Sequence, residues 1–133
     1  MLFGTKTAAE KRADFRKELA TGKLLQMPGA HEPLVARIVE EQGFDGIYIS
    51  GGALSAAMAM PDIGLTTLTE ITQRGRQIAR VTGLPALIDL DTGFGEAMNT
   101  ARTIQECEEL GLAGCHIEDQ VSPKRCGHLD NKT

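Results

Sequence analysis

Short aliphatic runs at residues 24–27, 45–50, 85–91 and 114–119 alternate with longer amphipathic segments at 8–20, 33–43, 67–81 and 99–110. This alternation limits the accessible folds more than any other feature of the chain. Runs of that length bounded by Gly or Pro read as strands, and the longer segments repeat their apolar residues at helical spacing. Thr7 with Glu10 and Thr67 with Glu70 have capping-box spacing, Pro33 suits a first helical turn, and Gly22, Gly43 and Gly83 follow the helix ends. The connections are too short for anything but right-handed crossovers, so the strands are parallel and carry helices on their faces. Two α/β architectures satisfy this: a small doubly wound sheet, or about half of a (β/α)8 barrel, which needs roughly 250 residues when complete. With 133 residues the chain holds one core, and residues 1–133 are expected to form a single domain.

Composition removes several function classes. Four Phe and one Tyr leave the core to Leu, Ile, Val, Met and Ala, which suits helices layered on an aliphatic sheet. The net charge is −4 and the Lys and Arg residues are dispersed, so no electrostatic footprint for nucleic acid exists. No apolar stretch is long enough to span a bilayer, and the N-terminus lacks the pattern of a secretory signal. Three cysteines do not make a disulfide framework, which fits a reducing compartment, and the expected location is cytoplasmic.

Alternation along the strands sorts the side chains by chemistry. Ile47 and Ile49 fall opposite Tyr48 and Ser50, Ile88 and Leu90 opposite Asp89 and Asp91, and Cys115 and Ile117 opposite His116 and Glu118. Three successive strands therefore combine a helix-facing apolar side with a polar, acidic side near their C-terminal ends. Carboxylates crowded there repel one another unless a cation separates them. An oxygen-only set of Asp89, Asp91 and Glu118 calls for a hard ion, Mg²⁺ by usual preference, with water completing the shell. Gly51, Gly52, Gly93 and Gly95 follow the strands directly, either as plain turn chemistry or to let backbone amides approach an anion.

Cys126 stands between Lys124-Arg125 and Gly127-His128, a basic setting that favours the thiolate and leaves the sulfur accessible. Cys107, in a helix, and Cys115, on the helix-facing side of a strand, are assigned to packing. A zinc site from Cys115, His116, Cys126 and His128 lacks paired ligand spacing and needs side chains from opposite faces.

The segments Tyr48-Ile49-Ser50-Gly51-Gly52, Pro61-Asp62, Asp89-Leu90-Asp91-Thr92-Gly93-Phe94-Gly95, His116-Ile117-Glu118-Asp119-Gln120 and Lys124-Arg125-Cys126-Gly127-His128 occur in the order seen in one enzyme group. From about Leu24 onward the chain resembles the isocitrate lyase and phosphoenolpyruvate mutase superfamily. Within it, Ser-Gly-Gly and the Lys-Arg-Cys-Gly-His loop are most similar to the 2-methylisocitrate lyase family. Isocitrate lyases typically carry tryptophan where Gly52 stands, and the phosphonate mutases lack the reactive cysteine. Leu90 replaces a small residue often found between the two aspartates.

The resemblance implies the N-terminal half of a (β/α)8 barrel, preceded by a helix, and a Mg²⁺-dependent carbon–carbon lyase cleaving (2S,3R)-2-methylisocitrate to pyruvate and succinate in propionate catabolism. It implies metal ligation by Asp89, Asp91 and Glu118 and a general acid at Cys126 on a mobile loop. Lys124, Arg125 and His128 would favour the thiolate and hold the loop near anionic substrate, with Lys124 and His128 counted among the catalytic groups. Ser50, Gly51, Gly52 and Gly127 would bind substrate, Tyr48 would position or deprotonate its hydroxyl, and Asp62 would stand behind these residues or gate them. The implied partner is a di- or tricarboxylate, and the implied complete protein a homotetramer of roughly twice this length. Strands five to eight are expected to be absent here, so this chain alone is expected to aggregate, dimerise or remain poorly closed. Related chemistry on isocitrate, dimethylmalate, oxaloacetate or carboxyphosphonoenolpyruvate, and a non-catalytic half-barrel binding Mg²⁺ and a dicarboxylate, remain as alternatives.

Overall fold

A computed structural model describes residues 3–133. Its elements run α1 (Ala8–Ala20), α2 (Pro33–Glu41), β1 (Ile47–Ile49), α3 (Gly51–Ala57), α4 (Leu68–Ala79), β2 (Ala86–Asp89), α5 (Ala97–Glu109) and β3 (Gly114–His116). Both expected capping boxes form. Thr7 and Thr67 each accept the N–H of the residue three positions on, and Glu10 and Glu70 reach back to the cap backbone. Pro33 begins α2 as the helical spacing predicts.

The strands are parallel, in the order β1-β2-β3, with Ile49 beside Ile88 and Ile88 beside Cys115. Sequential order is what a barrel requires, since a doubly wound sheet reverses direction at a switch point. The strand expected at 24–27 does not form as a regular element. Pro28 has no N–H to extend a ladder, and the segment makes only an isolated bridge at Gly29 to Tyr48. It still lies alongside β1, because the N–H groups of Asp45 and Tyr48 donate to the carbonyls of Gln26 and Pro28, and Ala30 N–H donates to Tyr48. The regular sheet therefore has three strands among the described residues, with an irregular fourth segment at its edge.

Ile47, Ile49, Ile88 and Leu90 are fully buried against α2, α4 and α5 in one core with Ala36, Ile71, Ile78, Cys107 and Leu112. At Gly75 of α4 a β-carbon would stand 2.7 Å from Ile88 Cδ1, so glycine sets how closely that helix approaches the sheet. The opposite face is apolar only at its lower end. A β-carbon on Gly114 would meet Leu87 and the ring of Phe15, which α1 presents there. The first helix is fastened by its cations. Lys11 Nζ donates to the Ala79 carbonyl at 2.7 Å, and Arg12 donates to the carbonyls of Glu108 and Leu112, all near the C-terminal ends of α4 and α5. Burial holds the Lys11 ammonium below its ordinary pKa, with Glu40 opposing that shift.

Urea unfolding of single variants separates cap from core. Thr67→Ala is expected to lower stability by about 1 kcal/mol and Ile88→Ala by roughly 3 kcal/mol. Equal losses, or a larger loss at Thr67, would contradict this packing.

Candidate active site and metal centre

The polar side chains assigned to one face converge above that sheet. Asp89 ends β2, Tyr48 lies in β1, His116 ends β3, and Glu118 follows two residues later. Asp89 and Asp91 are 8% and 5% exposed, so their charges depend on local partners. Asp89 Oδ2 accepts the Gly51 N–H at 3.1 Å and its Oδ1 accepts the Asp91 N–H at 3.1 Å. The Gly51 amide expected to meet a substrate carboxylate is thus already engaged. Ser50 caps α3, a helix that the run of small residues did not announce, by accepting the Ala53 N–H. A β-carbon on Gly52 would stand 3.1 Å from Asp62 Oδ2, so only glycine leaves that carboxylate its position.

Tyr48 and His116 stack with ring centroids 5.7 Å apart and planes 7° from parallel. The phenol oxygen lies 3.2 Å from His116 Nδ1, and His116 Nε2 lies 3.3 Å from Asp89 Oδ1. Burial, and then the charges of Asp89 and Glu118, push the Tyr48 phenol up to about 12 despite the opposing Lys124 cation. His116 was placed on this face by alternation but given no role. Its contacts with both Tyr48 and Asp89 need side-chain positions that spacing does not supply.

Asp89, His116 and Glu118 each offer a ligand atom within 4.8 Å of the others. Asp91 stands outside this group, and its Oδ1 is buried without a hydrogen bond. A β-carbon on Gly51 would lie 2.9 Å from Asp89 Oδ2 and 3.4 Å from Asp91 Oδ1, so both aspartates face one small cradle that glycine keeps open. A buried carboxylate oxygen that accepts no hydrogen bond and is met by the Lys124 ammonium, a cradle a methyl group would fill, and the further donors of Glu118 and His116 fit a divalent cation. Asp89 and Glu118 would hold it, with His116 in reach of the same point and Asp91 beside them.

The loop after β3 closes over this set. Cys126, Gly127 and His128 line a cleft of about 540 Å³ together with Tyr48, Ser50, Gly52, Asp62, Asp89, His116 and Glu118. Lys124 does not line that cleft. It is 2% exposed, with Nζ 2.5 Å from both Asp62 Oδ1 and Asp91 Oδ1. Burial alone would depress the ammonium, but the close carboxylates of Asp62 and Asp91 outweigh it and raise the pKa. Arg125 is exposed and its guanidinium donates to the Asp130 carbonyl. Gln120, absent from the expected site, ties the loop together: it donates to Glu118 and to the Arg125 carbonyl and accepts the Arg125 N–H. Thr66 adds a hydroxyl toward Asp91 Oδ2. Cys107 is buried and Cys115 packs on the core; burial pushes the first thiol up to about 12 and raises the second.

The phosphoenolpyruvate phosphomutase family matches residues 15–132. Over 132 residues the chain is 58% identical to probable 2-methylisocitrate lyase 2 of Corynebacterium glutamicum, covering 98% of this chain and 43% of that protein. It superimposes with a TM-score of 0.85 on phosphoenolpyruvate phosphomutase from Streptomyces platensis subsp. rosaceus, at 36% identity over 89% of this chain and 41% of that one. A phosphonopyruvate hydrolase complex with oxalate and Mg²⁺ gives 0.83, at 37% identity over 86% and 40% of the two chains. The chain thus spans about two-fifths of the length of these proteins. No described helix is long and apolar enough to cross a membrane.

Tyr48 is the chain's one tyrosine, so its environment can be read directly by ultraviolet titration. Tyrosinate absorbance of the folded protein should rise with a midpoint of about 12, not at the ordinary 10.0. The folded state keeps a proton that the unfolded chain loses earlier, so stability is expected to decline as pH rises from 10.0 to about 12. A midpoint at the ordinary phenol value would contradict the buried, acid-flanked position.

Proposed function

The chain belongs to the phosphoenolpyruvate phosphomutase family and forms a partial (β/α)8 barrel, and on that premise we propose that it is the cation-binding, cysteine-bearing portion of a lyase cleaving (2S,3R)-2-methylisocitrate to pyruvate and succinate. The observation that carries this reading is the shared cleft, in which Cys126 and His128 face Tyr48, Asp89, His116 and Glu118. The name of the 58%-identical relative supports the choice of substrate. The complete protein is read as a cytoplasmic homotetramer acting on tricarboxylates.

Mg²⁺ held by Asp89 and Glu118, with Asp91 beside them, would supply Lewis-acid polarisation of the 2-hydroxy acid as its ketone forms. Tyr48, fixed by the His116 ring, orients the substrate hydroxyl; as a phenol pushed up to about 12 it holds its own proton at neutral pH and acts as a hydrogen-bond donor. Loss of the hydroxyl proton, cleavage of the adjacent carbon–carbon bond and transfer of that electron pair onto the carbon beside a carboxylate generate pyruvate and an enediolate-like anion. His116, in contact with Tyr48 and Asp89 and lining the cleft, would take up the hydroxyl proton. The Cys126 thiol gives its proton to the anion, completing succinate and leaving a thiolate beside His128. Ser50 and the Gly52 amide remain to receive a substrate carboxylate, since the Gly51 amide is held by Asp89.

The test joins residues 1–133 to the remaining segment of the C. glutamicum relative and, with Mg²⁺, follows pyruvate release from 2-methylisocitrate and 2,3-dimethylmalate, glyoxylate release from isocitrate and oxalate release from oxaloacetate. The expected result is turnover of 2-methylisocitrate above the others, and a loss on the order of 1,000-fold in Cys126→Ala with substrate binding retained. Preference for another of the four acids, or undiminished turnover in Cys126→Ala, would overturn the assignment.

A further inference from the structure

Asp91 is the most buried carboxylate at the strand ends, and its Oδ1 accepts no hydrogen bond. The group against that oxygen is the Lys124 ammonium, 2.5 Å away. The same nitrogen donates a hydrogen bond to Asp62 Oδ1, also at 2.5 Å. One lysine from the cysteine loop thus bridges the segment after α3 to the end of β2. Its two contacts are equally short, and what separates them is position: the Asp91 oxygen also borders the space between the strand-end acids, whereas the Asp62 oxygen lies behind it.

The oxygen that Lys124 covers also borders the Gly51 cradle, where Asp89 Oδ2 and Asp91 Oδ1 come within 2.9 and 3.4 Å of one point. A divalent cation drawing on Asp91 needs that oxygen, and a second positive charge cannot remain against it in so buried a place. We propose that Lys124 is a positioning residue rather than a catalytic one: its ammonium stands in for the cation on Asp91, and a divalent ion entering the site displaces it from Asp91 while Asp62 retains it. The exchange couples the cysteine loop to the occupancy of the acidic face, because Lys124 lies two residues before Cys126. This inference rests on the reading of Asp89, Asp91 and Glu118 as a divalent-cation site.

Two measurements on the purified protein test it without reference to turnover. Titration with Mg²⁺ alone by calorimetry should show Lys124→Met binding at least about tenfold more tightly than wild type, while Arg125→Met, which removes an exposed cation from the same loop, leaves affinity within about twofold. In wild-type protein, labelling by an amine-reactive acylating reagent, read by mass spectrometry, should be low at Lys124 without Mg²⁺ and rise severalfold at saturation, with exposed Lys17 of α1 as the unchanging reference. Mg²⁺ binding that leaves Lys124 reactivity unchanged, or equal affinities of Lys124→Met and wild type, would overturn the exchange and leave the cation site standing. Failure of wild type to bind Mg²⁺ would overturn both. The labelling experiment needs no variant, so misfolding of Lys124→Met would not shield the proposal.

Discussion

Asp89, Asp91 and Glu118 are gathered at the C-terminal ends of adjacent parallel strands, and much of the surrounding structure answers the repulsion this creates. Buried carboxylates stay ionised only where hydrogen bonds or opposite charges replace lost water. Asp89 takes backbone N–H groups from Gly51 and Asp91 on its two oxygens, while Asp91 takes the Thr66 hydroxyl on one and the Lys124 ammonium against the other. Asp91 itself has φ 50, a left-handed conformation that costs a non-glycine residue roughly 1 kcal/mol or more. Its carbonyl accepts the Glu118 N–H at 2.7 Å, which joins the end of β2 to the segment carrying the third carboxylate. Strain and crowding of this kind at strand ends belong to a site where charge is used.

The same carboxylates organise the loop that carries the thiol. Lys124 is held by Asp62 and Asp91, and Gln120 links Glu118 to the backbone of Arg125. Cys126 reaches the cleft because the residues before it are tied to the acidic face. The carboxylates proposed to hold a cation and the residues that place the sulfur are therefore one arrangement viewed from two sides, with Tyr48, His116 and Asp89 forming a stacked and hydrogen-bonded wall opposite.

Local rules made much of this legible. Period-two alternation correctly divided Ile47, Ile49, Ile88 and Leu90 from Tyr48, Asp89 and His116, because a strand whose one face is packed by helices cannot slip by one residue. Capping boxes at Thr7 and Thr67 were readable because they depend on four consecutive residues. Pro28 kept the first expected strand from becoming regular, although hydrogen bonds of Gln26 and Pro28 still hold it at the sheet edge. Helix α3 was hidden in a run of small residues that reads equally well as a turn. The partners of Lys124 lie 62 and 33 residues away in the chain, at Asp62 and Asp91, so proximity to Cys126 in sequence pointed to the thiol when the folded structure turns the ammonium toward carboxylates.

The strand-end acids are proposed to form one divalent-cation site. Electron paramagnetic resonance of Mn²⁺ titrated into the purified protein tests it most directly, comparing wild type with Asp89→Asn. Wild type is expected to bind a single Mn²⁺ tightly per chain and Asp89→Asn to lose it, with the fold retained by circular dichroism. Equal Mn²⁺ binding in the two folded proteins, or none in wild type, would contradict it.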